Sequence, residues 1–302
     1  MDQIRFTRDP ELNRPVLVCA FEGWNDAADA ATGALSFLRS RWQAEPFAHL
    51  DPETFYDFQV RRPRVTLIDG ITRKVTWPSG DFFSAAVAGS DRDAVLFLGI
   101  EPNFRWKSFV NQFAELARKF SVELVVTLGA LLADVPHTRD VRVVGTAVQP
   151  ALIERLGLMR SRYEGPTGIV GVLHDAMANT GVDSVSLWAS VPHYVGIGPN
   201  PKATAALVKR LGDLVGSQPD TAELEAAGKA WEAKVSEIVA ANPEIAGYVS
   251  QLESAYDQMV ASGEERGMPT GMPTGEGLAE ELERFLRDQG GEGGQEKSRG
   301  PA

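Results

Sequence analysis

LVCAFEGWNDAADAATGAL, residues 17–35, decides the fold. An apolar run over residues 16–21 reaches a turn at Gly23 and passes into an alanine-rich amphipathic segment over residues 26–40. A run apolar on both faces belongs to a strand covered by helices on both sides. Gly23 lets the chain turn sharply, and Asn25 or Asp26 can cap the first helical turn. The stretch therefore reads as the first strand–turn–helix unit of an α/β sheet. A phosphate loop would present several glycines and often a lysine; here Glu22, Asp26 and Asp29 surround the helix start and repel a bare anion. The loop still stands at the carboxyl end of a strand, where open α/β sheets place their crevices. There Glu22 and Asp26 either serve a cation or sugar hydroxyls, or merely cap and solvate.

Working outward, residues 65–68, 94–100, 122–128, 141–148 and 182–189 read as further strands, and residues 104–120, 150–156, 169–180 and 201–212 as helices. Asp69-Gly70 is a hairpin signal, which predicts that the sheet is mixed, with an antiparallel part. Near residue 217 the pattern changes. Leu224, Trp231, Val235 and Ile238 share one helical face; Asn242-Pro243 caps and starts a second helix, whose stripe is Ile245, Val249, Leu252, Tyr256 and Met259. The chain thus divides into an α/β domain over 1–216, a helical hairpin over 217–261 and a tail over 262–302. The hairpin docks either on its own domain or on a second subunit. The tail holds the MPTGMPTGEG linker, a short helix over 278–286 and a disordered end from residue 290.

Composition excludes several classes. The chain has 302 residues, 43% of them hydrophobic, which suffices for a sizeable core. Its formal charge of −11 disfavours nucleic acid and anionic membrane, with Arg61, Arg62 and Arg64 the only tight basic cluster. No apolar run reaches the length of a spanning helix, and the first twenty residues lack a signal-peptide pattern, so the expected location is the cytoplasm. The single cysteine, Cys19, lies inside the first apolar run and reads as a small buried hydrophobe. The four histidines are far apart, with no HExxH, CxxC or GxSxG, so no metal and no cofactor are expected.

Three further segments carry candidate chemistry. In TLGALLADVPHTRDVRVVGTA, residues 127–147, Asp134, His137, Arg139 and Asp140 cluster between two strands. His137 suits acid–base work near neutral pH and Arg139 suits a carboxylate or phosphate, unless Arg139 only pairs with Asp134 or Asp140 to shape the loop. In YEGPTGIVGVLHDA, residues 163–176, the amides near Thr167 and Gly168 at a helix start are a candidate anion loop, although Gly168 and Gly171 equally permit close packing. His174 and Asp175 are adjacent within that helix and point in different directions. His193, after the last strand, is a candidate for the same crevice as Glu101, Asn103 and Arg105 from GIEPNFRW, or a packed histidine at a strand end.

Taken in order, LVCAFEGWNDAADAATGAL, GIEPNFRW, TLGALLADVPHTRDVRVVGTA, YEGPTGIVGVLHDA and SLWASVPHY resemble the PAC2 family, named for proteasome assembly chaperone 2, and its bacterial branch in particular. The resemblance runs from about residue 14 to about residue 260. It implies a three-layer α/β/α sandwich with a mostly parallel mixed sheet, like that of nucleoside phosphorylases. It implies a protein–protein role in chaperoning assembly, with the chain itself and the proteasome or another complex as partners. The expected marker is an exposed apolar patch on the helices after residue 217. Proteasome-binding members can end in a hydrophobic residue, a tyrosine and any residue; this chain ends Gly300-Pro301-Ala302, so docking by such a tail is not expected. The alternative implied by the fold is a nucleoside- or phosphate-directed enzyme, whose pocket would join His137 and Arg139 to Glu22 or Glu101. An ATP-grasp ligase, with which some members have been catalogued, is disfavoured by the few lysines.

Overall fold

The computed structural model describes residues 3–160, 164–196 and 198–262; the expected linker, short helix and disordered end of the tail lie outside the described residues. The strands are β1 (Ile4–Phe6), β2 (Val16–Glu22), β3 (Glu45–Leu50), β4 (Arg64–Ile68), β5 (Thr72–Thr76), β6 (Gly80–Ala86), β7 (Asp93–Ile100), β8 (Leu124–Ala133), β9 (Val143–Ala147), β10 (Met159–Arg160) and β11 (Asp183–Pro192). The helices are α1 (Ala30–Arg41), α2 (Trp106–Lys119), α3 (Pro150–Leu156), α4 (Ile169–Thr180), α5 (Pro201–Val215), α6 (Ala222–Ala240) and α7 (Pro243–Ser262).

Nine strands form one sheet in the order β1-β3-β6-β7-β2-β8-β11-β9-β10. Its centre, β7-β2-β8-β11, is parallel throughout. These are the runs apolar on both faces, and the reason is visible in β2. Val16, Val18 and Ala20 point into a core shared with α1 and α5, whereas Leu17, Cys19 and Phe21 point into a core shared with α2 and α4. The second core is built around Phe21, Phe82, Phe97, Phe109 and Phe113, stacked at centroid separations of 4.7 to 6.3 Å. The result is an α/β/α sandwich.

The antiparallel part of the sheet arises differently from the sequence expectation. It comes from β1, β3 and β6 on one side and from β9 on the other, not from the Asp69-Gly70 hairpin. That hairpin forms around a three-residue loop, residues 69–71, with Asp69 at φ 54° and Gly70 at φ 73° in the left-handed region and the Ile71 amide donating to Ile68 O at 3.1 Å. But β4 and β5 pair only with each other and stand as a separate two-stranded sheet.

The α6–α7 pair packs on its own chain. Val235, Val239, Ile245, Val249 and Leu252 bury themselves with Tyr194 and Val195 just beyond β11, and Gly228 of α6 rests on Lys202 of α5. Among the described residues the expected apolar patch on these helices is therefore not found, Val260 near the end of α7 being their one exposed large apolar side chain. Their stripes are buried at Val235, Val239, Ile245, Val249 and Leu252 and half-buried at Leu224, Trp231, Ile238, Tyr256 and Met259, and among the described residues the large exposed apolar side chains include Val65, Leu67, Ile68, Ile71, Val75 and Trp77 around the β4–β5 hairpin, together with Trp24, Val60 and Phe104.

Candidate functional site

The candidate residues gather at the carboxyl edge of the parallel strands, in two groups. The first lies where β2, β7 and α4 meet. After β2, Gly23 (φ 129°) turns the chain beneath Glu101, and Ala130 of β8 donates its amide to Asn25 O at 2.9 Å. Asn25, fully buried, donates from Nδ2 to Glu101 Oε1 at 3.1 Å. The same oxygen accepts from the amide of Ile169 at 2.8 Å, at the first turn of α4. The helix start that reads as an anion loop thus holds an anion already, the carboxylate of Glu101. Gly168 is fixed by this arrangement: a Cβ there would lie 2.6 Å from the Asn25 amide and 2.9 Å from Glu101 Oε1. Thr167 covers Gly171 in the next turn. Glu22 is exposed at the end of β2, and Asn103 Oδ1 accepts from the Asp57 amide at 2.9 Å, which ties the β7–α2 loop to the segment leading to β4.

Asp26 sits beside this group and has its own task. Its carboxylate accepts from the amides of Ala31 (2.7 Å) and Thr32 (3.3 Å) and from the Thr32 hydroxyl, so it caps α1 across a turn in which Ala28 and Asp29 are left-handed. Burial nevertheless dominates and pushes its pKa up to about 6.

The second group lies where β8 and β11 meet α6 and α7. His137 is buried; its amide donates to the Tyr194 hydroxyl at 2.8 Å, and that hydroxyl lies 2.8 Å from His137 Nδ1. On the other side of the ring, Nε2 lies 2.9 Å from Ser236 Oγ of α6, so the imidazole bridges Tyr194 and α6. Burial lowers the pKa of His137 and raises that of Tyr194. Arg139 reaches α7 instead of Asp134 or Asp140: Nε and Nη2 donate to the two carboxylate oxygens of Asp257, both at 2.8 Å, and Nη1 to Glu253 at 3.2 Å. Thr138 also bonds Glu253. Lys202 Nζ donates to the carbonyls of His137 (2.7 Å) and Arg139 (3.0 Å) and pairs with Glu232 of α6. His193 Nδ1 lies 3.2 Å from Asp134, and its Nε2 3.4 Å from the Tyr248 hydroxyl of α7. The cavity beside this corner, lined among others by His137, Arg139, Lys202 and Trp231, has a volume of about 10 Å³, the space of roughly one water.

Chemically, the two groups are clamps. Glu101 and Asn25 hold the start of α4; His137, Arg139, Lys202 and Tyr194 hold α6 and α7. Among the described residues, no hydrogen bond or ion pair joins His137 or Arg139 to Glu22 or Glu101, and no group of three His, Cys, Asp or Glu side chains is placed to bind a metal. A partner that sequence reasoning missed is Tyr194, which the motif SVPHY places one residue after His193; its signal was a large aromatic directly after a strand. His174, half-buried, joins a separate network of buried hydroxyls, with Nε2 2.8 Å from Thr127 Oγ1 and Nδ1 2.9 Å from Ser184 Oγ, and the loss of solvation lowers its pKa to about 4. No helix among the described residues is long and apolar enough to cross a membrane.

Comparison with known proteins agrees with this architecture. Residues 20–239 match the PAC2 family. A PAC2 family protein from Streptomyces avermitilis is 49% identical, with a TM-score of 0.72 over 78% of this chain and 99% of that one. A proteasome-assembly chaperone homologue from Mycobacterium tuberculosis, Rv2125, is 47% identical, with a TM-score of 0.71 over 78% of this chain and 99% of that one. An archaeal proteasome activator, PbaB of Pyrococcus furiosus, shares the fold at 18% identity and a TM-score of 0.62, over 79% and 99% of the two chains. No curated protein matches the sequence. With its sheet order, its helical layers and these likenesses in agreement, the chain belongs to the PAC2 family.

Proposed function

We propose that this protein is an assembly-chaperone-like protein of the cytoplasm that acts by protein–protein contact, associating with copies of itself and with proteasome components. The observation that carries this reading is the inverted use of its polar and apolar side chains. His137 and Arg139, the pair best suited to catalysis, are committed to holding α6 and α7, beside a cavity of about 10 Å³. Large apolar side chains, which a protein without a partner would bury, stand outside on residues 60–77 and at Trp24 and Phe104. The 47% identity to a protein described as a proteasome-assembly chaperone homologue supports the choice of proteasome components as partners.

The test is affinity purification of the full-length tagged chain from its native lysate, with quantitative mass spectrometry against an untagged control. Enrichment of proteasome subunits above the control is the expected result. Recovery of the chain alone would contradict the proteasome reading, and turnover in a panel of nucleosides and phosphate esters would replace it with an enzymatic one.

A further inference from the structure

The β4–β5 hairpin is a projecting arm with two distinct faces. Register pairs Val65 with Val75 and Leu67 with Arg73, while Arg64 pairs with Thr76 and Thr66 with Lys74. Side chains alternate across a strand, so Val65, Leu67 and Val75 share one face with Arg73 at its distal end and Trp77 continuing it at the root, and Arg64, Thr66, Lys74 and Thr76 share the other with Ile68 and Thr72. Every residue of both strands is exposed, and Ile71 at the tip is 85% exposed. The arm is rooted where Phe58 meets Trp77, ring centroids 4.9 Å apart and planes inclined at 60°. A two-stranded hairpin with water on both faces is marginal by itself. Here the ladder runs through five regular pairs while its apolar face has no cover.

Charge identifies the cover. Residues 61–77 hold Arg61, Arg62, Arg64, Arg73 and Lys74 against the single acid Asp69, in a chain whose net charge is −11. Among the described residues, Arg62, Arg64, Arg73 and Lys74 form no ion pair with the chain's own acids. We infer that the arm, residues 61–77, is the docking element by which one copy of this chain seats on the acidic body of a second copy. The inference rests on the self-association reading above and names its surface. Apolar contact through Val65, Leu67, Val75 and Trp77 supplies burial, and the flanking basic groups select an acidic surface. Two arms set face to face would bring like charges together, so the contact is head-to-tail, the kind that closes into a ring when its rotation permits.

The test is sedimentation velocity of the full-length chain at low and high salt. Wild type is compared with Val65→Glu/Val75→Glu and with Arg73→Glu/Lys74→Glu, all at exposed positions. The expected result is an oligomer that weakens with salt, and self-affinity reduced at least about tenfold in both variants, with circular dichroism and Tm unchanged. An oligomer unaltered by either pair overturns the arm as the contact and leaves self-association standing. A wild type that is monomeric at every concentration overturns both. Loss of association in the valine variant alone, with no salt dependence, overturns the acidic-body occupant in favour of a symmetric arm-to-arm contact.

Discussion

Two hairpins leave the same α/β/α sandwich and meet opposite fates. The helical one, α6–α7, lays its apolar stripe on Tyr194 and Val195 and is fastened at its rim by Arg139 to Asp257 and Glu253, and by Lys202 to Glu232. The β one, β4–β5, has an apolar face broken only by Arg73 and leaves it in water. Amphipathicity therefore does not tell which appendage serves a partner. What separates them is whether the body offers a complementary corner: the helices find buried tyrosine, a histidine and a lysine at the ends of β8, β11 and α5, while the arm is held by the Phe58–Trp77 contact at its root.

Substitution sharpens the contrast most strongly at the apolar stripes. Val249→Asp places a charge in the α7 stripe and is expected to cost about 4 kcal/mol or more, read as a fall in the urea midpoint. On the arm, Val65→Ala is expected to leave stability within about 0.5 kcal/mol of wild type. Equal losses at both positions would abolish the distinction.

The next effect is one of pH, and it resides in the sandwich that carries both hairpins. His174 has its pKa lowered by burial to about 4, against an ordinary value near 6.5. Above pH 6.5 it is neutral folded and unfolded and contributes nothing. As pH falls from 6.5 toward 4, the unfolded chain binds a proton that the folded chain refuses, so stability declines by up to roughly 3 kcal/mol. Asp26 works with the opposite sign. Its folded pKa is raised from 3.8 to about 6, so the folded state is penalised as pH rises through that window. Asp26→Asn should therefore stabilise the protein at pH 7.5, by about 1 to 2 kcal/mol after the loss of part of the cap, and the gain should vanish near pH 3.5. Urea titrations of wild type and variant at three pH values check both slopes.

The smallest effect is at the rim of the helical hairpin. Arg139→Ala should leave the sandwich folded while raising amide exchange in α7, because the paired oxygens of Asp257 lose their donor. Exchange in β2 and β8 should not change.

Much of the sandwich was legible in the sequence because its central strands are short β-branched runs apolar on both faces, alternating with amphipathic helices, the pattern of a doubly covered sheet. The edge was not. β1 is three residues long, β3 carries Pro46 and a register shift between Pro46 and Ala48, and β6 begins with Gly80, so none shows sustained alternation. The hairpin at Asp69-Gly70 was legible as a turn but not as a detached arm, since local turn chemistry says nothing about which sheet a hairpin joins. At the site, residue types were legible and partners were not. Arg139 and Asp257 lie far apart in sequence, as do His137 and Ser236, and only the docking of α6 and α7 brings them together.

The most direct measurement is hydrogen exchange of the full-length chain at low and high protein concentration. Amides of β4 and β5 are predicted to exchange fast in the dilute protein and to become protected on concentration, while those of α6 and α7 stay slow throughout. An arm whose exchange is independent of concentration, or helices that gain the protection in its place, would contradict the assignment of contact to the β hairpin.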